Sequence, residues 1–252
     1  MTALSINLNK IALIRNSRVT TTPDVVEYAQ LCIDSGADGI TVHPRPDQRH
    51  IRAQDCRDLK NAIAVELNIE GNPFAGARES GRSDVGAYPG FLELVEEVRP
   101  TQVTLVPDGD HQLTSDHGFD LSKDGERLEP VVAYLKKLGC RVSLFMDPNP
   151  DAMPAVSLLG ADRIELYTES YAKAHAEEEF AVTLGAFQRT AEAAHAAELG
   201  INAGHDLNLH NLPDFEIQHL AEVSIGHAFT ADALRWGIPA TIARYQAALG
   251  KS

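Results

Sequence analysis

Histidine set beside arginine at the end of a strand can move protons next to a bound anion. The segment Ile40-Thr41-Val42-His43-Pro44-Arg45-Pro46-Asp47-Gln48-Arg49-His50 carries that pairing twice. An imidazole titrates near neutrality and serves as acid or base, and guanidinium groups hold phosphate or carboxylate oxygens. Glu70 and Glu165 lie in or just after apolar runs, where an unpaired carboxylate is costly, so each needs a partner or a function. Gly204-His205-Asp206 and Gly226-His227 supply two Gly-His turns. Glycine lets backbone N–H groups approach phosphate oxygens, and the end of a following helix adds partial positive charge. Asn7, Asn9 and Lys10, with Arg15 and Arg18 soon after, complete the polar set. Taken alone, Arg15 and Arg18 read as a solvated loop surface. A metal is the competing use for several His and Glu residues, but neither H-x-H nor H-E-x-x-H spacing occurs. The expectation is proton transfer without a metal.

These residues need elements that bring them together. Short runs suited to buried strands fall at Leu4–Leu8, Ile40–Val42, Val65–Glu70, Val103–Val106, Arg141–Met146, Arg163–Tyr167, Gly200–Ala203 and Ala221–Ile225. Pro44 and Pro107 stop two of them, since proline has no N–H for a sheet ladder. Helices are expected from Pro23-Asp24 to about Gly36, over Ala53–Ala64, Phe91–Val98, Glu126–Leu138 and Asp151–Leu159. The longest, about Glu177–Leu199, is rich in alanine, and His227–Trp236 and Pro239–Leu249 close the chain. The polar stretches Gly71–Gly90 and Asp108–Gly125 read as long loops, the first a mobile one. Eight strands alternating with helices imply an α/β fold, a (β/α)8 TIM barrel with additional helices, as a single domain over residues 1–252. An open doubly wound sheet is the alternative, but the first strand lacks a G-x-G-x-x-G turn. In a barrel the carboxyl ends of all strands converge on one pocket, which is where the polar set lies.

Composition narrows the partners. A net charge of −14 over 252 residues argues against nucleic acid or an anionic membrane surface. Phosphorylated small molecules stay admissible, because local Arg, Lys and N–H groups hold them. Cys32, Cys56 and Cys140 are odd in number, widely spaced and form no C-x-x-C pair, so a reduced cytoplasm is the simplest expectation. No apolar run reaches membrane-spanning length, and the N-terminus lacks the pattern of a signal peptide.

The segments Ile6-Asn7-Leu8-Asn9-Lys10-Ile11-Ala12, Arg15-Asn16-Ser17-Arg18, Gly36-Ala37-Asp38-Gly39-Ile40-Thr41-Val42-His43, Ile201-Asn202-Ala203-Gly204-His205 and Ile225-Gly226-His227-Ala228 resemble the pyridoxine 5′-phosphate synthase family, in order along the chain. The resemblance implies a TIM barrel assembled as a homo-octamer built from dimers, with no cofactor. It implies condensation of 3-amino-2-oxopropyl phosphate with 1-deoxy-D-xylulose 5-phosphate to pyridoxine 5′-phosphate, phosphate and water. By the same resemblance His43 is a general base, Glu70 a second acid–base residue, Glu165 a carboxylate assisting the transition states and His205 a proton donor. Asn7, Arg18, Gly226 and His227 would hold the aminoketone phosphate, and Arg45, His50 and Thr114 the deoxyxylulose phosphate. The chain departs from the family at Asn9-Lys10, where Asp-His is frequent, and at Asp206, where glycine is usual. The Gly71–Gly90 stretch also looks longer than usual. Two other readings carry less weight: a different phosphosugar barrel such as an epimerase or aldolase, and a non-catalytic phosphometabolite binder.

Overall fold

The computed structural model describes residues 1–109 and 111–251. Among these, eight parallel strands close a barrel in chain order: β1 (Ala3–Asn7), β2 (Gly39–Val42), β3 (Glu66–Gly71), β4 (Gln102–Leu105), β5 (Arg141–Met146), β6 (Arg163–Tyr167), β7 (Gly200–Gly204) and β8 (Leu220–Ile225). β1 pairs with β2 on one side and with β8 on the other, which closes the ring. The helices around it are α1 (Asn9–Asn16), α2 (Val25–Asp34), α3 (Ala53–Ala62), α4 (Phe91–Val98), α5 (Leu121–Lys137), α6 (Met153–Leu158), α7 (Glu169–Ala176), α8 (Ala181–Ala196), α9 (His227–Trp236) and α10 (Ile238–Ala248). None is long and apolar enough to cross a membrane.

Period-two alternation sorts each strand into two faces. Leu4, Ile6, Ile40, Val42, Leu67, Ile69, Val103, Leu105, Val142 and Leu144 join the helices' Ala29, Cys32, Leu59, Leu94 and Leu135 in one apolar cluster. The core is therefore an annulus between sheet and helices. The inner face is polar, although most barrels of this kind fill it with branched apolar side chains. Ser5 bonds Thr41 at 2.7 Å, Thr104 donates to Asn68 at 3.1 Å, and Arg163 donates to Asn202 at 2.9 Å. The closed ring sets aside the open doubly wound alternative.

Four further expectations change. Asn9–Asn16 is a helix, and Arg15 on it is buried, not solvated: it clamps Asp55 with two hydrogen bonds of 2.6 and 2.9 Å. Arg15 and Asn16 also donate to the His50 carbonyl, at 3.1 and 2.7 Å, so this helix sets the β2–α3 loop. The stretch 71–90 is not a loose loop. An antiparallel bridge pairs Arg78 with Tyr88, the Tyr88 ring is buried, and Gln48 donates to the Gly86 carbonyl at 2.7 Å. The helix expected over Glu177–Leu199 begins only at Ala181, as α8; α7 lies before that stretch and ends at Ala176, and Glu178 between the two has a φ of +59°. At 17 residues α5 is the longer element, capped by Asp120, which accepts from the Ser122 N–H at 3.1 Å. Asp151–Leu159 likewise divides into a 3-10 turn, Pro150–Ala152, and α6.

Candidate active site

A cavity of about 270 Å³ opens at the carboxyl ends of the strands. Asn7, Asn9, Lys10, His43, Arg45, His50, Glu70, Thr114, Glu165, His205, Asp206, Gly226 and His227 all line it. Arg18 does not: it lies exposed just beyond α1.

The strand ends position the acid–base groups. The His43 N–H donates to the Asn9 side chain at 2.9 Å, and the Asn9 N–H donates to the Asn7 side chain at 3.0 Å. The two asparagines thus tie the end of β1 to the end of β2. His43 itself is 6% exposed, with Nδ1 3.9 Å from Glu70 and Nε2 3.7 Å from Asp108. Burial, followed by the charge of Arg45, holds the imidazole well below its usual value and leaves it a free base at neutral pH.

The carboxylates are displaced in the opposite direction. Burial, then the neighbouring Glu165 and Asp108, push Glu70 well above the carboxylate range, and Asn7 donates to it at 3.3 Å. Glu165 projects inward from the middle of β6 rather than from its end, against Gly204 on β7, where a Cβ would collide with its carboxylate. Burial and then Glu222 raise it to about 8. A base pushed down beside acids pushed up divides the roles in an acid–base site.

The proton on Glu165 has a consequence for stability. An unfolded carboxyl titrates near 4.3, so the stabilisation from the neutral folded form is complete below that value. It is lost as pH rises through about 8. Glu165→Gln keeps the neutral shape at every pH. It is expected to melt higher than the parent at pH 9, with a gap that shrinks towards pH 5. A gap independent of pH in thermal melts would remove this assignment.

Two ends of the cavity flank these groups. On one side stand Arg45, His50 and Lys10. The His50 Nδ1 accepts from the Ile51 N–H at 2.9 Å, so its Nε2 carries the proton and faces outward as a donor. Burial, then Arg45, keep that ring neutral, with its value down at about 3. On the other side Gly226 precedes α9, whose first N–H groups have no partners within the helix. A Cβ on Gly226 would lie 3.1 Å from the Cβ of Asn7, so glycine permits this approach of β8 to β1. At the end of β7, His205 and Asp206 both have positive φ, +71° and +43°. The Asp206 carboxylate turns to Nδ1 of His205 at 2.7 Å, and the Thr114 hydroxyl meets Nε2 at 2.7 Å.

Asp108, absent from the sequence-derived set, belongs here. It is buried, pairs with Arg45, accepts from Ser115 at 3.0 Å, and leaves Oδ1 without a hydrogen-bond partner among the described residues. The signal was present: Val106-Pro107-Asp108 ends β4 as Val42-His43-Pro44 ends β2.

The chain is a (β/α)8 barrel with histidines and carboxylates gathered in one polar cavity at its strand ends. The family model described as "Pyridoxal phosphate biosynthesis protein PdxJ" matches residues 4–251. Pyridoxine 5′-phosphate synthase of Xanthomonas campestris pv. campestris (strain B100) is 55% identical over 251 residues, covering 98% of this chain and 95% of the relative. The synthase of the same name from Xylella fastidiosa (strain 9a5c) is 50% identical, covering 97% and 93%. Among solved structures, tryptophan synthase from M. tuberculosis in an open form superposes with a TM-score of 0.63 at 12% identity, covering 100% of this chain and 94% of the other. Phosphoribosyl anthranilate isomerase from Thermus thermophilus gives 0.57 at 13%, covering 98% and 99%; at such identities only the fold is shared. The chain belongs to the pyridoxine 5′-phosphate synthase family, enzymes of vitamin B6 biosynthesis.

Proposed function

We propose that this protein closes the pyridine ring of pyridoxine 5′-phosphate from 3-amino-2-oxopropyl phosphate and 1-deoxy-D-xylulose 5-phosphate, releasing phosphate and water. The observation that carries the reading is the placement of a deprotonated His43 and protonated Glu70 and Glu165 between two anion-binding ends. Two phosphorylated substrates need two such ends. Imine formation, enolisation, elimination and ring closure each move a proton, which calls for several acid–base groups in one cavity.

His43 takes protons as the general base, and Glu70 returns them. Glu165 assists the charged transition states from the barrel interior, and His205 is the proton donor for departing oxygen. Arg45, His50, Lys10 and Thr114 hold the deoxyxylulose phosphate, with Asn9 shaping that end. Asn7, Gly226, His227 and the Asp206 backbone N–H hold the aminoketone phosphate and then that of the product. Arg18 joins this second group when the segment after α1 folds over the mouth, as a charge-assisted contact. The loop of Thr114 closes the cavity and keeps water from reactive imines. This chemistry is that of a transferase acting in the cytoplasm, and the working assembly is a homo-octamer built from four dimers. A scattering mass near eight times 27.3 kDa tests the octamer.

The deciding assay supplies both substrates with chelator present and follows phosphate release and the fluorescence of pyridoxine 5′-phosphate. Product formation supports the proposal. Folded protein that binds either phosphate without forming product defeats it in favour of another phosphosugar reaction. In the same assay Arg18→Ala is expected to raise KM for the aminoketone; a fall in kcat alone would take Arg18 out of the phosphate group.

A further inference from the structure

We propose that Asp206 is a positioning residue: its carboxylate holds the Nδ1 proton of His205 and so reserves Nε2 for proton transfer in the cavity. The inference rests on the reading of His205 as a proton carrier.

Three side chains stand in line. Thr114 Oγ1 lies 2.7 Å from Nε2 of His205, and Nδ1 lies 2.7 Å from Oδ2 of Asp206. A neutral imidazole has one N–H and one bare nitrogen, and an ionised carboxylate only accepts. With Asp206 ionised, Nδ1 must be the donor and Nε2 the acceptor, so the Thr114 hydroxyl donates into it. Asp206 is kept below the usual carboxylate range by this hydrogen bond first, which leaves it the acceptor of the pair. The hydroxyl of Thr114 occupies the place where a substrate O–H or N–H would meet Nε2.

The backbone around the pair is fixed from outside. Thr168 donates to the carbonyls of Gly204 and His205, at 2.8 and 2.6 Å. The Tyr167 and His205 rings pack in a T-shaped pair with centroids 5.2 Å apart. Left-handed backbone at two successive non-glycine residues is uncommon, and it persists where neighbours over-determine it. Here it turns the Asp206 carboxylate back onto its own neighbour. A glycine at 206 could make the same turn but would offer no acceptor.

The chemical gain is a defined proton path. Nε2 takes a proton from the substrate, Asp206 stabilises the resulting imidazolium through Nδ1–H, and Nε2 passes the same proton to the departing oxygen. The carboxylate stays ionised throughout, as expected of a group that orients a catalytic imidazole.

The test reads the tautomer directly. In protein carrying 15N-labelled histidine, His205 is expected to have a protonated Nδ1 and a bare Nε2. Asp206→Gly and Asp206→Asn both accept a φ of +43°, so both should fold. Asp206→Gly is expected to lose the Nδ1–H preference and to lower kcat about 10- to 100-fold, the range for lost orienting partners, with KM nearly unchanged. Asp206→Asn, whose carboxamide oxygen can accept Nδ1–H, should keep the tautomer and restore part of kcat. A wild-type Nε2–H tautomer, or an unchanged tautomer in Asp206→Gly, overturns the proposal. A tautomer that switches in Asp206→Gly without any change in kcat instead overturns the proton-carrier reading of His205, so the two failures are distinct.

Discussion

Glu70→Gln is expected to lower kcat by about 10²- to 10⁴-fold, the range for loss of a general acid–base group, with both substrates still binding. Burial and the neighbouring Glu165 and Asp108 keep Glu70 protonated in the resting site. Glutamine copies that neutral shape and can still accept from Asn7, whose side chain donates to Glu70 at 3.3 Å. What glutamine lacks is a proton to release and regain. The loss should therefore sit in kcat, because an interaction used only in the transition state leaves ground-state binding alone. In the parent, activity should decline on the alkaline side as the raised carboxylates lose their protons, Glu165 through about 8. Full turnover by Glu70→Gln would exclude Glu70 from the chemistry.

His43→Ala is expected to have an effect of the same size, about 10²- to 10⁴-fold in kcat. The ring lies beside Glu70 and Asp108, within 3.9 and 3.7 Å. Burial and Arg45 depress it, so the free base is already populated at neutral pH. The acid limb of the wild-type rate should accordingly lie below the usual histidine value of about 6.5. Calorimetric titration of the variant with deoxyxylulose phosphate should find affinity changed only a few-fold, since Arg45 and His50 remain. If affinity collapses while kcat holds, His43 is a binding residue and the base lies elsewhere.

Most of the barrel was legible because β5 and β6 are bounded by glycine or charged residues and begin and end where the pattern places them. The site was legible for a related reason: proline and glycine punctuate strand ends, and the chemistry follows the punctuation. What escaped notice lacked such marks. The residue at the N-cap of α1 is Leu8, which has no side-chain acceptor, and the first turn has no acidic residue, so Asn9–Asn16 read as a loop. α7 was not foreseen, and Glu177-Glu178-Glu179, good helix formers with no glycine or proline among them, read as the start of α8, although that helix begins at Ala181. Arg15 could not be placed from sequence because its partner, Asp55, lies 40 residues away on α3. The inward position of Glu165 depended on register, which is set between strands and not along them.

The polar inner face of the barrel also bears on how the protein responds to temperature. Unfolding a barrel with a branched apolar interior exposes hydrocarbon on both faces of its sheet. Here the inner face instead releases hydroxyl, amide and ionic groups such as Ser5, Thr41, Asn68, Thr104 and Asn202. Apolar exposure raises the heat capacity of unfolding and polar exposure lowers it. Scanning calorimetry should therefore give a heat-capacity increment below the ordinary value of about 12–15 cal/mol/K per residue. A smaller increment bends the stability curve less, so this fold keeps a more even margin between cold and heat than an apolar barrel of equal length.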